Sequence, residues 1–78
     1  MKIFGYANEM PNNLVSLNQI TIQADSKSLK ILAEFLTKCA EDMDKDSDWE
    51  HEHFTDFVDE EIGKKLESDI VIFKGNVN

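Results

Sequence analysis

A small α+β fold, with its elements in the order β-β-α-β-β, is what the sequence predicts, and three observations predict it. Apolar and polar side chains alternate through Ile20, Thr21, Ile22, Gln23 and Ala24. The apolar period becomes helical from Lys27 onward, and Asp69-Ile-Val-Ile-Phe73 returns to a short β-prone run. Alternation puts successive side chains on opposite faces of a strand, whereas a three-to-four spacing stacks them along one side of a helix.

The first strand is expected at Lys2-Ile-Phe-Gly-Tyr6, bounded by a turn region at Met10-Pro-Asn-Asn13. The second lies within residues 14–24, with Ile20, Ile22 and Ala24 on one face and Gln19, Thr21 and Gln23 on the other. These two strands are placed to form a hairpin. Asp25-Ser26 is a helix N-cap signal. After it, Leu29, Leu32, Ala33, Leu36, Cys39, Ala40 and Met43 recur at helical spacing, with Lys30, Glu34, Lys38 and Glu41 opposite. Ile31 and Phe35 broaden the apolar side. The pattern predicts an amphipathic helix of about four to five turns.

Acidic side chains oppose the dipole at a helix C-terminus, so residues 42–48 are expected to be loop. Trp49-Glu-His-Glu-His-Phe54 alternates again, and as a strand it sets Trp49, His51 and His53 against Glu50, Glu52 and Phe54. Residues 54–66 read as loop or a short helical turn broken at Gly63, and 69–73 as the closing strand. The expected architecture is one four-stranded, mainly antiparallel sheet with the helix packed on one face. Since one helix covers one face, and Val71 and Phe73 oppose Ile70 and Ile72 while Ile3 opposes Phe4 and Tyr6, the second face is expected to be buried, in a homodimer or against a protein partner.

The 78 residues are expected to form one domain, 1–78. A chain of this length buries only about 60–65% of its unfolded surface, so extra stabilisation is often needed. Cys39 is the only cysteine, which closes the disulfide route and suits a reducing compartment. The N-terminus has no apolar run of signal-peptide length, and no stretch approaches the roughly 18 apolar residues of a membrane span. A cytoplasmic location is the expectation.

Sixteen acids against eight basic residues give a net charge of −8. That excess argues against nucleic acid and anionic membranes as partners and favours encounter with basic proteins. Eleven of the sixteen acids fall between Glu41 and Glu61, opposed there only by Lys45. The candidate partner-binding stretch is therefore Asp42, Asp44, Asp46, Asp48, Trp49, Glu50, His51, Glu52, His53 and Asp56, where carboxylates surround one large aromatic anchor.

Other chemistries are less well supported. On a strand, His51 and His53 point the same way about 7 Å apart at Cα and could share a metal with a carboxylate. Two imidazoles alone are an incomplete site, and the favoured reading is a packed or recognition face that includes Trp49. The run from Asp42 has the opening of a calcium loop, but Ser47 stands at its sixth position and His53 at its twelfth. Glycine and a bidentate glutamate belong at those positions. Cys39 lies on the apolar helix side, where it reads as a small buried hydrophobe rather than a nucleophile. No phosphate-binding or nucleophile motif is present, so neither an enzymatic reaction nor a cofactor is expected.

Ser26, Leu29, Leu32, Ala33, Phe35 and Leu36 spell Ser-x-x-Leu-x-x-Leu-Ala-x-Phe-Leu, followed by Cys39-Ala40, Met43, Trp49-Glu-His-Glu-His53 and Asp69-Ile-Val-Ile72. Across residues 14–73 this resembles the thirty-second group of bacterial polymorphic-toxin immunity proteins. The helix part is generic, and Trp-x-His-x-His is the distinctive part. The resemblance implies a non-catalytic antitoxin that binds and blocks a toxin, with a basic nuclease domain suited to an acidic inhibitor.

Overall fold

The computed structural model describes residues 1–7 and 16–75. The expected turn at residues 10–13, the beginning of the second strand before residue 16, and the tail beyond residue 75 lie outside the described residues. Strand β1 (Lys2–Ala7) pairs antiparallel with β2 (Leu17–Gln23), with Ile3 opposite Ile22 and Gly5 opposite Ile20. Gly5 permits this approach: a Cβ there would sit 2.8 Å from Leu17 Cδ1 and 3.2 Å from the Gln19 carbonyl. The register shifts between Gly5 and Ala7.

Helix α1 (Ser26–Lys45) starts where the cap signal places it. Asp25 Oδ1 accepts the Ser28 N–H at 2.8 Å, and that backbone bond is the chief reason its carboxyl lies below the usual value. The helix runs past Glu41, correcting the expectation that Asp42 and Asp44 belong to a loop. Three features carry it on. Met43 continues the partly buried side, Lys38 holds Asp42 one turn along at 2.8 Å, and Lys45 brings positive charge to the last turn.

Strand β3 (His51–His53) pairs antiparallel with β4 (Val71–Phe73), His51 opposite Phe73, Glu52 opposite Ile72 and His53 opposite Val71. Between them lie two short helices, α2 (Phe54–Phe57) and α3 (Glu60–Lys65). Gly63 does not break the chain as expected but sits inside α3, its N–H bonded to the Asp59 carbonyl, while the Asp59 side chain caps Ile62.

The α+β class holds, but the single four-stranded sheet with one helix does not. There are two separate two-stranded sheets and three helices among the described residues. No backbone ladder joins β4 to the hairpin. Instead Ile3, Ile20 and Ile22 face Ile70 and Ile72 across an apolar groove of about 290 Å³, also lined by Leu32 and Leu36. Side-chain bulk, not hydrogen bonding, spaces the two sheets.

The buried core is small: Leu32, Phe35, Cys39 and Phe54. Phe35 is its centre, with ring centroids 5.2 Å from Phe54 and 5.4 Å from Phe57. Leu29 and Leu36 belong to the periodic apolar stripe but remain more than two-fifths exposed. Cys39 is buried as expected, and burial pushes its thiol pKa up, which disfavours the thiolate.

Candidate functional site

The β3–β4 pair has two chemically different faces. Glu52 and Ile72 are partly buried on the side toward α1, where both Glu52 carboxylate oxygens lie about 3 Å from Lys38 Nζ. His51, His53, Val71 and Phe73 share the other face by their pairing. There the imidazoles meet edge to face at 5.5 Å, and Val71 and Phe73 are 47% and 71% exposed. The ladder continues beyond the strands through Lys74 N–H to the Glu50 carbonyl and Phe54 N–H to the Ile70 carbonyl, each 2.8 Å.

Asp69 organises one end of this unit. Its Oδ1 accepts the N–H groups of Thr55 at 3.1 Å and Ile70 at 2.8 Å, and its Oδ2 lies 2.6 Å from His53 Nδ1. Burial alone would raise the Asp69 pKa, but the hydrogen bonds from His53, Thr55 and Ile70 together outweigh it and lower the value. An ionised Asp69 can only accept, so His53 Nδ1 carries the shared hydrogen at neutral pH.

A lowered folded pKa means that this stabilisation is fully present above the unfolded value of 3.8 and is lost below it, as pH falls through the lower folded value. Asp69→Asn should therefore cost about 1 kcal/mol at neutral pH, the net worth of a hydrogen bond. The gap from wild type should close toward pH 3. Urea unfolding at both pH values checks this, and a gap that widens in acid would refute it.

The ten residues expected from sequence divide into groups. Asp44, Asp46, Asp48 and Glu50 are exposed and surround the turn from α1 to β3, and Asp56 is exposed on α2. None of these five forms an ion pair among the described residues. Asp46 Oδ1 accepts the Asp48 N–H at 2.9 Å, fixing that turn. Asp42 and Glu52 are different, because both pair with Lys38, whose single charge offsets one of the two. Its ammonium is held charged well above the usual lysine range, first by Asp42 and then by Glu52. The periphery is softened too, by exposed pairs Glu60–Lys64 and Glu61–Lys65. Four exposed acids with no ion pair among the described residues thus flank the α1–β3 turn.

Trp49 does not share a strand face with the histidines. It precedes β3, its N–H bonds the Asp46 carbonyl at 3.1 Å, and its side chain is partly buried against the core, whereas His51 is exposed. Among the described residues, no three His, Cys, Asp or Glu side chains converge to hold a metal ion. The sequence reading missed Lys38 and Asp69. Lys38 carries a signal in its helical spacing to Asp42, but Asp69 acts across sixteen residues and left none.

The profile of the family described as immunity protein 32 matches residues 19–75. That span takes in α1, both strands of the second sheet and the acidic turn. The chain belongs to this family. No curated protein and no solved structure matches it. Membership in an immunity protein family implies a toxin-neutralising, protein-binding role, with a toxin as the protein partner. Immunity proteins generally act by binding rather than by catalysis. No helix among the described residues is long and apolar enough to cross a membrane.

Proposed function

We propose that the chain neutralises a basic toxin domain by covering it with the acidic surface of residues 42–56. Exposed, unpaired carboxylates concentrated on one rigid turn in an immunity protein are the observation that supports this reading. Holding Asp44, Asp46, Asp48 and Glu50 together costs self-repulsion, and a cationic partner surface relieves it. A domain that cleaves nucleic acid presents such a surface, because it must bind phosphates. His51, His53 and the adjoining Val71 and Phe73 supply the area that loses water on contact. Trp49 backs the same turn from the core side.

The test takes any toxin-like domain encoded next to this chain's gene as the candidate partner. Co-expression should restore growth and yield a complex. Replacing Asp44 and Asp48 by asparagine and Glu50 by glutamine should slow association about tenfold at low salt and flatten its salt dependence. The thermal melt should not change. An unaltered association rate would remove the acidic contact, whereas failure to bind any neighbouring toxin would remove the function itself.

A further inference from the structure

Strand β2 (Leu17–Gln23) is the longest of the described strands and contains neither a charged residue nor proline. It pairs only with β1 among the described residues. The Lys2–Glu67 ion pair and the pocket shared by Met1 and Leu66 tie β1 to the segment leading into β4. In this two-stranded sheet both strands have a free side; that of β1 carries Lys2, whereas β2 carries no charge at all. Exposed edges in stable monomers are usually blocked by lysine, proline or inward charge, because their free N–H and C=O groups recruit another strand. In a chain that is 31% charged, seven consecutive uncharged edge residues are an open invitation of that kind.

We propose that β2 is a self-association edge, joining two copies antiparallel about a two-fold axis into a sheet ordered β1-β2-β2-β1. A second copy is the occupant that fits. Its own β2 is equally uncharged, whereas a strongly basic partner would find nothing on this edge to pair with. The first forty residues carry four lysines against three acids, so two copies meet here without bringing their acidic turns together. An isologous contact requires a self-complementary patch. Centring on Ile20, the strand's most exposed apolar side chain at 55%, sets Gln19 of each copy opposite Thr21 of the other. Leu17 and Leu36, each 43% exposed, then lie beside the new interface. The association is independent of toxin binding, which uses the opposite end of α1.

Sedimentation of the full chain at about 100 µM should give twice the 9.0 kDa chain mass. Gln19→Lys with Thr21→Lys places like charges opposite one another and should weaken the dimer tenfold or more, with an unchanged circular dichroism spectrum. A wild-type monomer at this concentration overturns the proposal, and so does a dimer indifferent to both lysines. If the lysine variant loses its fold, Ile20→Cys decides. On the two-fold axis it should oxidise to a covalent dimer with wild-type helix content, and its failure to cross-link overturns the assignment.

Discussion

Phe35→Ala is expected to lower the unfolding free energy by about 3–5 kcal/mol, the usual cost of deleting a buried phenylalanine. Phe35 has no exposure at all, and it holds Phe54 and Phe57 through ring contacts at 5.2 and 5.4 Å. Its removal detaches α2 from α1 as well as opening a cavity. A domain of this size has only about 5 kcal/mol or somewhat more to lose, so the variant should be largely unfolded near body temperature. Leu29→Ala, on the same helix but 46% exposed, should cost under about 1 kcal/mol. Urea titration of both variants checks the contrast. Equal losses would mean that the core is not centred on Phe35.

Trp49→Ala comes next in size. Its partial burial against Leu32, Phe35, Cys39 and Phe54 predicts a loss of about 2–3 kcal/mol in stability. Had Trp49 been the exposed anchor of the contact, truncation would instead cost about 2 kcal/mol in toxin binding and leave the melt alone. Circular dichroism beside a binding titration separates the two. A lowered melting temperature with near-wild-type affinity for the folded fraction is the expected outcome. An unchanged melt with lost affinity would place Trp49 in the interface.

The parts of the fold legible in the sequence are those set by neighbours in the chain. The α1 cap at Asp25 and the hairpin alternation depend on residues within a few positions, and both read correctly. The β-prone run at 69–73 was visible, although the strand itself covers only Val71–Phe73. What was misread depends on distant partners. The strand pairing at 51–53 is short, so alternation extended back to Trp49 carried it one element too far. Asp42 looked like a helix stop on the dipole rule alone although Lys38 stands one turn before it, whereas the second partner of that lysine, Glu52, lies fourteen residues away and left no signal. Residues 54–66 were ambiguous because two helices of four and six residues have too few turns to show a period. The acidic stretch was visible as composition, but its division into paired and unpaired carboxylates was not.

The two sheets each join strands close in sequence, and no backbone ladder crosses between them. Among the described residues, the four buried side chains all lie in α1 or α2. The expected consequence is two cooperative units of unequal strength. The hairpin rests on partly buried isoleucines, whereas α1 and the second sheet share the aromatic centre. In native-state hydrogen exchange the hairpin amides would open by sub-global fluctuation, well below the free energy of complete unfolding. Docking of a second copy on β2 would draw its binding energy directly against that opening, so protection of the N-terminal unit would depend on protein concentration while protection of α1 would not.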